Sequence, residues 1–277
     1  MNPAPRTATV LSLGAGVQSS ALLLMCDREP ERVGAALGVE NFKCDFAVFA
    51  DTGDEPDNVY RWLDRLERAV SIPVVRASAG SLAADILANR TGAEPPWFVV
   101  GAAGKKGMLR RQCTRTYKVD VVRRAIRERL GYKPRVRVRR HHVTQLIGIS
   151  RDEVYRIKPS RKAWITNRHP LVDLKMVRGD CRAYVEATGL GTPPRSACWH
   201  CPFHSDAAWA RLRDHEPEAF AKAVAFDRAI RERTGRRTLR GTPFLHRDRV
   251  PLSEVVLRPK EPAPDLFNNE CEGMCGV

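Results

Sequence analysis

The sequence predicts an α/β fold: a mainly parallel, five-stranded sheet with helices on both faces and a helical C-terminal portion. Short apolar, β-branched runs alternate with runs of helical periodicity over roughly the first half of the chain, and such alternation is typical of crossovers between parallel strands. A loop of small residues directly follows the first apolar run. The hydrophobic content of 43% over 277 residues is that of a globular protein.

The strands and helices follow from this alternation. The predicted strands are Thr9–Leu13, Phe46–Ala50, Pro73–Arg76, Val136–Val138 and Thr144–Ile149. The predicted helices are Ser19–Cys26, Pro56–Val70, Ser81–Asn89, Lys118–Leu130, Gly179–Thr188 and Ser205–Thr234. We expect Gly101–Gly107 to be a mobile loop. The chain therefore divides into a predicted α/β domain over 1–177 and a mostly helical region over 178–277.

Charge and hydropathy limit the class of protein. No run of 18 apolar residues occurs, and no apolar signal core follows Met1, so we expect a cytoplasmic protein without a membrane partner. The net charge is +15. Between Lys105 and Arg140 stand 15 basic residues against Asp120 and Glu128. This excess favours an anionic partner, either nucleic acid or a nucleotide.

A loop of glycines and serines, residues 12–20, joins the first strand to the first helix. A strand that turns through small residues into a helix places free N–H groups at a positive helix end, and this geometry binds phosphate. The alternative is an ordinary turn. The candidate nucleotide-binding residues here are Ser12, Gly14, Gly16, Gln18, Ser19 and Ser20. The loop resembles that of the PP-loop ATPases and phosphoadenylylsulfate (PAPS) reductases, S-x-S-G-G-x-D-S, with Ala15 for the first glycine and Gln18 for the aspartate.

Two further segments end predicted strands. Asp51, Thr52 and Gly53 follow the second strand, where they form either a helix-capping turn or, as the resemblance implies, a site near the adenosine. Gly148 and Arg151 lie in a run similar to the family's G-I-R-R-x-E/Q segment. The resemblance implies that Gly148 faces the nucleotide and that Arg151 binds phosphate or sulfate. A salt bridge to Asp152 or Glu153 is the alternative for Arg151.

Eight cysteines in a chain without a secretion signal indicate metal or redox chemistry rather than disulfides. Cys198 and Cys201 form a C-x-x-C followed by proline, and thiolates in such a turn suit zinc or an iron–sulfur cluster. His200 and His204 flank this turn and are alternative zinc ligands. We expect Cys26, Cys44 and Cys181 to be small buried hydrophobic residues.

The pattern of Cys113 followed by the distant C-x-x-C is similar to that of the cluster-containing adenylylsulfate reductases. The resemblance implies a [4Fe–4S] cluster held by Cys113, Cys198 and Cys201, with Cys271 or Cys275 as the fourth ligand. Thr114 stands where that family has a second cysteine. Lys118 matches the family's following lysine and is, with Arg151, a candidate catalytic residue. Cys271 also resembles the nucleophile of the reductases' C-terminal tail, so its role stays open.

The resemblance implies the adenine nucleotide α-hydrolase fold (a Rossmann-like fold) and two alternative chemistries. We expect ATP with Mg²⁺ to be the cofactor of a sulfur transferase that forms AMP and pyrophosphate and acts on DNA, tRNA or a nucleoside-like acceptor. Sulfide or a sulfur-donor protein would be a partner, and a homodimer is a further expectation. The alternatives are an adenylylsulfate or PAPS reductase that forms sulfite and a non-catalytic nucleotide-binding module.

Overall fold

A computed structural model describes residues 6–90, 93–232 and 241–258. Five strands form one sheet in the order β3-β2-β1-β6-β7, and all four pairings are parallel. These strands are β1 (Arg6–Leu13), β2 (Phe46–Asp51), β3 (Val74–Ser78), β6 (His141–Ile147) and β7 (Ile165–Arg168). Three more strands, β4 (Phe98–Val100), β5 (Lys106–Met108) and β8 (Thr242–Phe244), form an antiparallel sheet in the order β5-β4-β8.

Nine α-helices accompany the sheets in the described part of the chain. They are α1 (Val17–Arg28), α2 (Pro30–Leu37), α3 (Asp57–Ala69), α4 (Leu82–Leu87), α5 (Asp120–Arg129), α6 (Pro170–Asp173), α7 (Arg178–Ala187), α8 (Asp206–His215) and α9 (Pro217–Glu232). A π-helical turn, Thr114–Val119, runs directly into α5. None of the helices in the described residues is long and apolar enough to cross a bilayer.

Alternation along the strands gives each face of the parallel sheet its own core. Leu11 and Leu13 of β1 pack with residues of α1, α3 and α7 on one face. Val10 of β1 packs with Val121 and Ile126 of α5 on the other face. Successive side chains of a strand point to opposite faces, so a buried strand of this kind requires helices on both. The predicted fold class is confirmed.

The parallel register brings three loops to one edge of the sheet. Leu13 pairs with Phe49 across β1 and β2, and Ser12 pairs with Ile147 across β1 and β6. The segments that follow β1, β2 and β6 therefore all start at the carboxyl edge, where open parallel sheets bind their ligands.

Two predicted elements differ from the structure. Val136–Val138 is not a strand, because Val136 is exposed and the segment pairs with no described strand; the fifth strand is β7, whose polar sequence gave no apolar signal. The predicted helix Ser205–Thr234 is two helices, α8 and α9, which meet at Glu216 because Pro217 cannot continue a hydrogen-bonded helix.

The loop predicted over Gly101–Gly107 is partly ordered. It contains a short 3-10 turn, and β5 begins within it and pairs with β4. The division at residue 177 stays a prediction. On its C-terminal side, α7 packs against α1, and β8 pairs with β4.

Candidate nucleotide and thiol site

The loop between β1 and α1 is buried and presents unused hydrogen-bond donors. Residues 12–20 are all buried, and the hydroxyl of Ser12 has no hydrogen-bond partner among the described residues. Ala15 has a positive φ of 57°, and the Gly14 amide donates to Ser19 Oγ at 3.2 Å. The amides of Ala15 and Gly16 make no hydrogen bond to the residues that the structure describes. Buried donors of this kind are costly unless an acceptor meets them.

The first turn of α1 itself carries no acidic residue, which favours an anion at this helix end. Ser20 Oγ accepts a hydrogen bond of 2.9 Å from the indole of Trp62, which fixes α3 against α1. The loop and the helix end thus form a rigid, electropositive corner at the carboxyl edge.

Gln18 is engaged by other side chains rather than by the loop. Its amide nitrogen donates to Glu153 Oε2 at 3.0 Å and to Ser150 Oγ at 3.3 Å. Its carbonyl oxygen accepts from Arg178 at 2.9 Å. Arg156 also donates to Glu153. Gln18 therefore connects the segment after β6 to the start of α7 through side-chain hydrogen bonds.

Gly148 lies against the loop of residues 12–20, which we call the phosphate loop after its predicted role. A Cβ added at Gly148 would stand 2.8 Å from the amide nitrogen and 2.9 Å from the Cα of Ser19. Only glycine allows this close approach of β6 to α1. Arg151 is exposed, and its side chain makes neither of the predicted salt bridges, since Asp152 accepts from Ser150 and from the Arg178 amide instead.

The segment after β2 begins with the predicted turn. Asp51 Oδ1 accepts hydrogen bonds of 2.8 Å from the Gly53 amide and from the Tyr60 hydroxyl. Gly53 has a φ of +72° and packs against Ser81. The Asx-type turn is therefore present, and it aims Thr52 away from solvent: Thr52 is buried and shares a hydrogen bond of 3.2 Å with the thiol of Cys198.

Two buried acids that follow this turn hold the C-x-x-C segment, and neither was predicted. Asp54 accepts from the imidazole of His200 at 3.0 Å, and its carbonyl accepts from the Trp199 amide at 2.9 Å. Glu55 accepts from Ser196 Oγ at 3.4 Å. The sequence could have indicated these two acids, because Asp54 and Glu55 directly follow the Asp-Thr-Gly segment at the end of β2.

Three thiols meet beside Thr52. Cys113, Cys198 and Cys201 line one cavity of about 30 Å³ together with Lys118. Burial, followed by the nearby Glu55 carboxylate, raises the pKa of the Cys198 thiol. The thiols of these distant segments thus lie next to Thr52 after β2, and no residue of the loop 12–20 is among the described residues that line their cavity.

Lys118 is buried beside the same thiols. Its Nζ lies 3.5 Å from Oε1 of Glu55, and their side chains are 6% and 1% exposed. The π-helical turn that carries Lys118 starts directly after Cys113, which places the cation and the thiol on one segment. The lysine and the carboxylate thus form a buried ion pair next to the thiols.

The flanking histidines are engaged in hydrogen bonds. His204 Nε2 donates to the Cys198 carbonyl at 3.0 Å, and burial, followed by Arg195, lowers the pKa of His204 to about 3. Within the described residues, no group of three or more His, Cys, Asp or Glu side chains is arranged to hold a metal ion. Cys271 and Cys275 lie outside the described residues. Cys26, Cys44 and Cys181 are buried in the core around α1, as expected.

A larger cleft of about 820 Å³ opens above the first turn of α1, and the sequence did not predict it. Val17 lies at its base, and the segment Thr192–Ala197 forms one wall. Six arginines line it: Arg61, Arg65, Arg178, Arg182, Arg195 and Arg211. Glu216 is the one acidic side chain among its described lining residues. No motif groups these arginines, because they come from three helices and a loop.

The basic stretch 105–140 is divided between the two edges of the sheet. Arg124 of α5 donates to the Ser78 carbonyl at 2.6 Å, and Arg127 donates to the carbonyls of Lys133 and Val136. The exposed residues of 133–140 precede β6 and therefore lie at the amino edge, away from the phosphate loop.

No protein-family model and no curated protein matches this sequence. Among solved structures, the fold is similar to that of a phosphoadenylyl-sulfate (PAPS) reductase from Candida auris in a phosphate complex. The two chains are 13% identical with a TM-score of 0.42, and the match covers 71% of this chain and 82% of that chain.

Proposed function

We propose that this chain is an ATP-dependent sulfur transferase that acts on a nucleic acid or nucleoside-like acceptor. The observation that carries the nucleotide part is the set of unused donors after β1: the Ser12 hydroxyl and the amides of Ala15 and Gly16. They stand before a helix whose own first turn carries no acidic residue, and this position suits the β- and γ-phosphates of ATP.

The proposed reaction has two displacements. An oxygen of the acceptor attacks the α-phosphorus of ATP, the bond to the β-phosphate breaks, and pyrophosphate leaves. Hydrosulfide then attacks the adenylated carbon, a C–S bond forms as the C–O bond breaks, and AMP leaves with the oxygen. Lys118 is the fixed cation that stabilises the negative charge of the departing group, and the phosphate loop binds the pyrophosphate.

The thiol set fits an iron–sulfur centre by its donor chemistry. Cys113, Cys198 and Cys201 form no disulfides, and their three sulfur atoms at one cavity are soft donors of the kind that iron prefers. Cys271 would be the fourth ligand. A cluster bound there supplies a soft iron site that can hold sulfur.

Replacing Ser12 with alanine should lower the rate of pyrophosphate release about 10- to 100-fold, because a hydrogen bond to a charged phosphate is lost. The measurement is the formation of AMP and pyrophosphate from ATP by the full chain with sulfide and bulk RNA or DNA. Ser253→Ala, at an exposed serine, is the matched control. Sulfite release from adenylylsulfate with thioredoxin, and no AMP from ATP, would establish the reductase chemistry instead.

Anaerobically purified protein should be brown and contain iron and acid-labile sulfide. Cys198→Ser should lower the iron content about tenfold or more, because a thiolate ligand is lost. Cys44→Ser changes a thiol buried in the core around α1 and should keep the iron. Colourless protein that carries zinc would contradict the iron–sulfur assignment.

A further inference from the structure

The large cleft above α1 has a regular arrangement of cations. Three helices each present two basic side chains four residues apart to it. The pairs are Arg61 and Arg65 on α3, Arg178 and Arg182 on α7, and Arg211 and His215 on α8. Side chains at this spacing share one helix face and lie about 6 Å apart along the axis. The cleft is thus bordered by three short rows of basic side chains, five of which are arginines.

The outer arginines are available to a ligand. Arg65, Arg182 and Arg211 are exposed, and they make no hydrogen bond or ion pair with the residues that the structure describes. By contrast, Arg178 donates to Gln18, and Arg61 lies 3.2 Å from Glu216. A guanidinium is always charged, and its planar set of donors matches phosphate oxygens.

Deeper in the cleft, polar groups lack protein partners. The Nε of Arg195 and the Oδ1 of Asn58 are both buried and make no hydrogen bond to the part of the chain that the structure describes. A donor on a cation and an amide acceptor in the same cleft suit a ligand that offers both anionic oxygens and N–H or O–H groups. A bare inorganic anion offers only acceptors.

The cleft also lies beside the proposed chemistry. Ala197 lines the cleft, and the next residue, Cys198, lines the thiol cavity. On the other side of the C-x-x-C turn, Phe203 lines the thiol cavity, and the next residue, His204, lines the cleft. Val17 connects the cleft to the phosphate loop. A ligand in the cleft therefore adjoins both the nucleotide site and the thiols.

We propose that this cleft binds the phosphodiester backbone of a nucleic-acid acceptor, an inference that rests on the proposed function. Its free arginines stand on three helices around the opening, so they suit a chain that continues beyond the cleft. The basic stretch 105–140 is a poorer candidate, because Arg124 and Arg127 of α5 donate to backbone carbonyls and residues 133–140 lie at the opposite edge.

The test compares two triple variants of equal charge change. Arg65→Ala, Arg182→Ala and Arg211→Ala remove the free cleft cations; Lys133→Ala, Arg137→Ala and Arg139→Ala remove exposed cations at the amino edge. Binding of a fluorescent single-stranded 20-nucleotide DNA or RNA is measured by anisotropy over a range of KCl concentrations. The cleft variant should bind at least tenfold more weakly, and its log–log salt slope should fall by about 2, since each single-strand phosphate contact contributes about 0.7. The amino-edge variant should bind like the original chain.

Three results would overturn this proposal: equal or greater loss in the amino-edge variant, no loss in the cleft variant, or a cleft that binds tripolyphosphate but no oligonucleotide. Circular dichroism checks that both variants are folded. ATP turnover is followed separately on the unaltered chain. Absent turnover with intact, cleft-dependent oligonucleotide binding would contradict the proposed function alone, whereas turnover without such binding would contradict the cleft assignment alone.

Discussion

Lys118→Met should destabilise the protein by about 3–5 kcal/mol and lower pyrophosphate release by about 100-fold or more. Methionine keeps the length of the side chain but removes the cation that lies 3.5 Å from the buried Glu55 carboxylate. A buried charge without its partner is costly, and the departing phosphate also loses its fixed positive charge. Urea unfolding measures the first effect, and the AMP and pyrophosphate assay measures the second.

Two controls separate these effects. Lys118→Met combined with Glu55→Gln should recover much of the stability, because no buried carboxylate is left without a cation, but it should not recover turnover. Lys222→Met changes an exposed lysine of α9 and should change neither quantity. Full turnover in a stably folded double variant would show that Lys118 has only a structural role.

Gly148→Ala should lower stability by about 1–3 kcal/mol and pyrophosphate release by about 100-fold. The added Cβ would meet the backbone of Ser19 at 2.8–2.9 Å, and a backbone cannot rotate away as a side chain can. The end of β6 and the start of α1 must then separate, which displaces the donors of the phosphate loop. ATP affinity and thermal unfolding of the variant test this.

Gly107→Ala is the matched control for this substitution. Gly107 lies in β5, and a Cβ there would have no neighbouring atom within 4 Å. The Gly107→Ala variant should therefore retain both the stability and the turnover of the original chain. Unchanged ATP affinity in Gly148→Ala would show that the phosphate loop tolerates the displacement or does not bind the nucleotide.

Local sequence patterns were sufficient for four of the five strands of the parallel sheet and for the helices that start at its carboxyl edge. The buried strand β2 is a nearly continuous apolar run, β1 has its apolar residues in its second half, and α3 has apolar residues at helical spacing. β7 was missed because Ile165–Arg168 is an edge strand with one buried residue. Its pairing with β6, rather than its composition, makes it a strand.

The site was predictable only where its residues follow strand ends. Ser12, Thr52 and Gly148 come together because the strands that precede them are parallel and adjacent. The hydrogen bond between Asp54 and His200 forms only when the C-terminal half of the chain folds over the end of β2. No residue spacing in the sequence predicts that contact. The partners of Gln18 likewise come from the segment after β6 and from α7, which only the folded chain brings next to α1.

The sequence by itself determined the parallel sheet, the loop of small residues after its first strand and the identity of the thiols, because periodicity, glycine and cysteine act through local geometry and chemistry. Only the tertiary structure decided that Cys113 meets the C-x-x-C turn beside Thr52, that Gly148 supports the phosphate loop by packing, and that arginines of three helices surround one cleft. Those relations depend on which helix faces pack together, and that packing is a property of the whole chain.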